Sequence, residues 1–229
     1  MLSGETLKKL QLEQKKLDNF IIQKKNLSDI KDSQGFVRTK IALFVEIGEL
    51  ANELKTFKHW KSQKEVNWAK AKEELIDCLH FFLSWTNSFE IDFSNYQFRK
   101  LTFEPSYNEL LLALFSETET FSTNVPLNER KQKMLAINDK WFEEEKNKIN
   151  NKEDLEGFRK INEEQKEIIE KMSNNFLEEI AVEKNKESFY RWLLIFEEIA
   201  RKMEMDEKGI EKEYMAKNKI NWERQQKNY

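Results

Sequence analysis

The sequence predicts an all-α fold, a helical bundle with a central metal site and an inserted variable helical region. Three observations carry the helical part of that reading. Apolar residues recur at a period of 3.6 through most of the chain. Only 5 Gly and 2 Pro occur in 229 residues, too few turn formers for multi-stranded sheets and too few glycines for the phosphate loops of P-loop or Rossmann domains. Hydrophobic residues make up 39% and charged residues 35%, enough for a core beneath a heavily charged shell.

The elements follow in order. Leu10, Leu12, Leu17, Phe20 and Ile21 place a first helix at roughly 5–25, followed by a polar connection from Ser28 to Gly35. Val37, Ile41, Phe44, Val45, Leu50, Ala51 and Leu54 trace the buried stripe of a second helix. Trp68 through Trp85 form a third, whose apolar arc is wide enough to need cover on several sides. Asn87 to Phe103 lacks a helical period, and Pro105-Ser106 opens a fourth helix reaching about Phe121. Between Leu127 and Ser173 the apolar pattern thins without sustained heptads, so a helical hairpin is expected rather than a long coiled coil. Phe189 to Ala200 is a dense returning helix, before a basic and polar segment, Met215–Tyr229. The expected organisation is a helical core at 1–103, a further helical region at 104–185, and a returning core helix with its C-terminal segment at 186–229.

Charge and cysteine content narrow the function classes. Lys+Arg 39 against Asp+Glu 42 gives a net charge of −3, without the basic excess that phosphate-backbone binding requires, so no nucleic-acid partner is expected. A single cysteine, Cys78, forbids an intrachain disulfide and fits a reducing compartment. The N-terminus has no apolar signal region, and no stretch approaches the ~20 uncharged residues of a membrane span, so a cytoplasmic protein without membrane contact is expected. With 2 His and 1 Cys, zinc sites of sulfur and imidazole are nearly excluded, and carboxylates must carry any metal.

Two carboxylate pairs stand out. Glu46 and Glu49 lie three apart on the second helix, and Glu74 and Asp77 three apart on the third, each pair inside an apolar stretch. Desolvating such charges costs several kcal/mol, so a cation must meet them. All-oxygen ligation suits Mg²⁺ or Mn²⁺, with the two helices antiparallel and the pairs facing. The same acids would equally be satisfied by Lys or water at the edge of the stripes. A di-iron bundle needs two carboxylate-x-x-His steps, and only Asp77-x-x-His80 is present.

Glu46-x-x-Glu49 followed by Glu74-x-x-Asp77 resembles the metal signature of the all-α nucleoside triphosphate pyrophosphatases. Three further segments resemble the dimeric dUTPase branch. Gln14-Lys15-Lys16-Leu17-Asp18 is similar to its uracil-reading helix, and Phe57-Lys58-His59-Trp60-Lys61 to its Trp/Lys motif. Tyr214-Met215-Ala216-Lys217-Asn218, with Asn221, Arg224, Gln225 and Tyr229, is similar to its phosphate-binding tail.

The resemblance implies hydrolysis of dUTP and dUDP to dUMP by a homodimer. Glu46, Glu49, Glu74 and Asp77 would hold Mg²⁺, with Mn²⁺ as a substitute, and Glu49 would also orient the attacking water. Gln14 and Asp18 would read the base, and Trp60 and Phe81 would pack on base and deoxyribose. Lys61 and His80 would contact the substrate, His80 as a sugar or backbone contact rather than a metal ligand, and Lys217, Asn221, Arg224 and Tyr229 would complete the substrate site, with Lys217, Asn221 and Arg224 on the phosphates. The i+4 and i+7 steps from Lys217 put Asn221 and Arg224 on its side of a helix. Met215–Tyr229 is too poor in apolar residues to pack by itself, and is expected to close over the triphosphate. The apolar faces of helix three are expected to be covered by a second subunit. The other functions open to this sequence are a related all-α pyrophosphatase acting on another nucleotide, and a non-catalytic helical interaction protein.

Overall fold

The computed structural model describes residues 1–25, 27, 33–62, 65–121, 127–149, 151–171 and 176–227, of which 33–34, 127–133, 152–153, 170–171 and 176–185 are described by backbone alone. The described residues form eight helices and no strand: α1 (Gly4–Lys25), α2 (Ser33–Leu54), α3 (Trp68–Ser88), α4 (Tyr107–Thr120), α5 (Leu127–Lys146), α6 (Lys152–Lys171), α7 (Phe176–Lys202) and α8 (Glu207–Gln226). None is long and apolar enough to cross a membrane. The chain divides into two compact units, residues 1–124 with 185–229, and residues 125–184.

Within the larger unit α3 packs against α1, α2 and α8. Leu75, Ile76, Cys78, Leu79, Phe82, Leu83 and Trp85 are all buried along it, and Phe82 stacks on Trp192 of α7 with ring centroids 4.1 Å apart. The wide apolar arc of α3 is thus covered by its own chain, which removes the reason for assigning that arc to a second subunit. One run of exposed apolar residues lies on α2, where Val37, Ile41 and Val45 are 36%, 56% and 50% exposed.

Caps set the boundaries. Asn67 opens α3 by accepting from the Lys70 N–H. Ser106 and Glu109 form a reciprocal capping box at α4. Asp206 accepts from the Gly209 N–H at the start of α8, immediately after Glu204 breaks α7 with φ of 57°. Gly4 is required for packing, since a Cβ there would lie 2.6 Å from the Phe93 carbonyl oxygen. The irregular 89–106 stretch is tied down by two buried acids of α7. Tyr96 donates its hydroxyl to Glu197 at 2.5 Å, and the Leu101 N–H donates to Glu198.

Three boundaries differ from the sequence expectation. α4 belongs to the larger unit because Leu110, Leu111 and Leu114 are buried there and the helix packs on α2, so the core extends past residue 103. α7 begins at Phe176, ahead of its dense apolar run. The tail is no loose segment: it continues α8 to Gln226, anchored by buried Ile210, Tyr214, Lys217 and Asn218 and by Trp222 against Phe20, 4.5 Å between centroids. Of the polar connection from Ser28 to Gly35, residues 28–32 lie outside the described residues.

The smaller unit is the expected hairpin. α5 and α6 pack through Phe158 against Trp141 and Phe142, and Asn138 donates to the buried Asn162.

Candidate active site

Four helices of the larger unit each present one row of side chains to a cavity of about 840 Å³, within the range of small-molecule sites. α1 contributes Gln14, Leu17, Asp18 and Ile21, and α3 contributes Asp77, His80, Phe81 and Ser84. α2 contributes Gly35, Thr39, Ala42 and Glu46, whose small members leave the space open, and α8 contributes Lys217, Asn221 and Arg224. Every row steps by three and four, the spacing of one helix face.

Carboxylates gather at one wall. Oxygens of Glu46, Glu74 and Asp77 lie within 4.8 Å of one another, with Glu74 only 2% exposed. Burial pushes the Glu46 carboxyl up to about 7, reinforced by the negative charges of Asp77, Glu49 and Glu74. Burial likewise raises Asp77, against the pull of Lys217. A group of hard oxygens short of positive charge is chemically suited to a divalent cation of the Mg²⁺ type.

Two lysines answer part of that deficit. Lys217 Nζ is 2.6 Å from both Asp77 Oδ2 and Glu73 Oε1, and Lys70 Nζ is 2.9 Å from Glu74 Oε1. Burial pulls the Lys217 ammonium down, but its bonds to Asp77 and Glu73 outweigh it and hold the proton on. The expected cationic partner of the acids is therefore present in the protein itself, alongside room for an ion. Glu49 stands apart: it is exposed on α2, outside the three-oxygen group and the cavity wall.

A second polar cluster lines the cavity between α1, α3 and α8. Gln14 is 5% exposed; its Nε2 donates to Asp18 Oδ1 at 2.7 Å, and its Oε1 accepts from Tyr214 Oη at 2.7 Å and from His80 Nδ1 at 2.7 Å. A carbonyl oxygen can only accept, so the His80 proton sits on Nδ1. Burial, with the charge of Lys217, lowers His80 to about 3, keeping the ring neutral. Its Nε2 has no hydrogen-bond partner among the described residues. Tyr214 stacks on the same ring, centroids 4.1 Å apart and planes 19° apart. Burial raises Asp18 to about 6 despite hydrogen bonds from Gln14 and Ser84.

Of the residues singled out from the sequence, Gln14, Asp18, Glu46, Asp77, His80, Phe81, Lys217, Asn221 and Arg224 line one cavity. Glu74 lies buried in the acid group at its edge. Trp60, 65% exposed, and Lys61 sit on the α2–α3 connection and do not line it. Tyr229 lies outside the described residues. Cys78 is fully buried, its thiol pushed up by burial. Arg38, Thr39 and Glu73 join the site without having been marked by a motif; Thr39 was legible as the residue seven before Glu46 on the same helix face.

A family model described as dUTPase matches residues 6–141 and 133–229, taking in both acid pairs, the Gln14 helix and α8. No curated protein and no solved structure matches the chain. Because that match runs along nearly the whole chain and the fold beneath it is all-helical, the protein belongs to the all-α dUTPase family, whose members are dUTP diphosphatases.

Proposed function

We propose that this chain hydrolyses dUTP, and also dUDP, to dUMP in a Mg²⁺-dependent reaction, as a cytoplasmic homodimer. One observation carries the reading: a single cavity has the acid group at one wall, a hydrogen-bonding cluster of Gln14, Asp18 and His80 at another, and Asn221 and Arg224 on α8. Glu46, Glu74 and Asp77 are the residues to hold Mg²⁺, or Mn²⁺ in its place, with Glu49 one helical turn beyond Glu46. An ion held there by these carboxylates would neutralise phosphate charge and lower the pKa of the attacking water.

The chain's own groups supply the remainder. Asn221 and Arg224, one helical turn apart on α8, donate to phosphate oxygens, and Lys217 joins them once its bond to Asp77 is released. The neutral His80 offers Nε2 as an acceptor for a sugar hydroxyl, and the Phe81 ring lies against the deoxyribose. Glu49 orients water in line with the β-phosphorus and takes its proton. The new P–O bond forms as the bond from that phosphorus to the α–β bridging oxygen breaks, and the bridging oxygen leaves on dUMP. The exposed Val37, Ile41 and Val45 stripe supports the homodimer, being apolar surface that a second copy would cover.

Incubating the protein with each deoxynucleoside triphosphate and dUDP, with Mg²⁺, Mn²⁺ or EDTA, and assaying for monophosphate tests the reading. dUMP should form from dUTP and dUDP only with the ions. Equal turnover in EDTA, or preference for another base, would refute it, and a monomeric mass in solution would remove the dimer.

A further inference from the structure

The base-reading wall has a geometry that goes beyond the presence of Gln14, and the inference deepens the dUTP reading on which it rests. A primary amide offers a base either a donor or an acceptor, depending on which way it faces. Here the choice is made by three groups. Both hydrogen bonds at Gln14 Oε1 are filled from inside the protein, by Tyr214 Oη and His80 Nδ1, each at 2.7 Å. Nε2 faces the Asp18 carboxylate at 2.7 Å, which when ionised can only accept. Turning the amide over would set its carbonyl against that carboxylate, and would require the Tyr214 hydroxyl and His80 Nδ1 both to switch from donating to accepting.

Tyr214 is fully buried and reaches Gln14 from α8, 200 positions away in sequence. It also stacks on His80, so one side chain holds both donors in register with Oε1. Burial raises the Tyr214 hydroxyl well above its ordinary value, so it stays protonated and able to donate.

We propose that Tyr214 is a specificity-determining positioning residue: with His80 it locks the Gln14 amide so that it presents the base with a donor and no acceptor. The remaining Nε2 hydrogen then meets a base carbonyl, and Asp18 receives the adjacent ring N–H. That pattern fits the O4 and N3–H edge of uracil. Cytosine places an amine and a bare ring nitrogen at the same positions, facing a donor and a carboxylate, and is rejected. Gln14 therefore does not read N3–H itself, in contrast to an amide free to do both.

The test compares kcat/KM for dUTP and dCTP in the wild type and in Tyr214→Phe, which keeps the ring on His80 and removes the hydroxyl. With one of three constraints on the amide gone, the dUTP to dCTP ratio should fall by ~10-fold or more, the scale of one buried hydrogen-bond contact. A general loss of packing would lower both substrates alike and leave the ratio unchanged, which would overturn the lock. If the wild type itself shows no preference for dUTP over dCTP, the dUTP reading fails and the lock with it. An independent measurement needs no variant: ¹⁵N NMR of the His80 ring in the wild type should show a protonated Nδ1 and a bare Nε2 at neutral pH. The opposite tautomer would mean that Gln14 Oε1 does not face His80 and would overturn the inference.

Discussion

Replacing Lys217 by Met separates two roles that this residue plays in sequence. Its ammonium is a donor available to the substrate phosphates, and in the ligand-free protein it is also the internal counter-ion of the acid group, 2.6 Å from Asp77 and from Glu73. A divalent ion taken up by Glu46, Glu74 and Asp77 competes with Lys217 for Asp77. The side chains of Lys217 and Asp77 are 10% and 15% exposed, so the bond is partly shielded from water. A charge-assisted hydrogen bond contributes about 1.5–3 kcal/mol, and residual solvent access brings this one to about 1–2 kcal/mol, or ~5–30-fold in affinity. Lys217→Met should therefore bind Mg²⁺ or Mn²⁺ ~5–30-fold more tightly in calorimetric titration without nucleotide. The ion-free variant should be less stable by about 2–4 kcal/mol, because Asp77 is left beside Glu46 and Glu74 without its cation. Its kcat/KM for dUTP should fall at saturating Mg²⁺. Metal affinity thus rises while ion-free stability and turnover both fall. Unchanged or weaker ion binding would show that Lys217 does not compete at the acid group, and the assignment of that group would fail.

Four other outcomes are expected. The folded Glu46 carboxyl lies at about 7 against an ordinary 4.5, so its contribution to stability is present below 4.5 and lost as pH rises to 7; denaturant titrations across that window should show the ion-free protein weakening, and Glu46→Gln should flatten the trend. Asp18, at about 6, must be ionised to accept from the base, so kcat/KM for dUTP at saturating Mg²⁺ should decline as pH falls through 6, and a decline that persists in Asp18→Asn would acquit Asp18. Glu49→Gln should lower kcat by ~10³-fold while leaving the thermal melt nearly unchanged, since the side chain is exposed; turnover like the wild type's would remove Glu49 from the reaction. Trp222→Ala should cost about 1–2 kcal/mol by deleting the Phe20 contact at the end of α8, and helix fraying there should raise KM for dUTP more than it lowers kcat.

What the sequence determined by itself is local. The period of the apolar residues placed α1, α2, α3 and α4 to within a few residues, because a helix face repeats on a spacing that depends on nothing beyond the chain segment itself. The same spacing put Lys217, Asn221 and Arg224 on one face of α8, and the structure has all three on the cavity wall. The acids inside apolar runs announced charge in need of a partner, which holds for Glu46, Glu74 and Asp77 but not for the exposed Glu49. Tertiary structure decided which partner. Lys217 meets Asp77 across 140 positions of sequence, and Tyr214 meets Gln14 across 200, because those distances follow from how α1, α3 and α8 pack. A wide apolar arc such as that of α3 reads the same in sequence whether its cover comes from another subunit or from its own chain, and here α1, α2, α7 and α8 supply it. The tail misled for the converse reason: α8 buries Lys217 and Asn218 as well as Tyr214. Most buried polar groups are satisfied by three-dimensional neighbours, as Lys217 is by Asp77 and Glu73, and no periodicity records where those neighbours are.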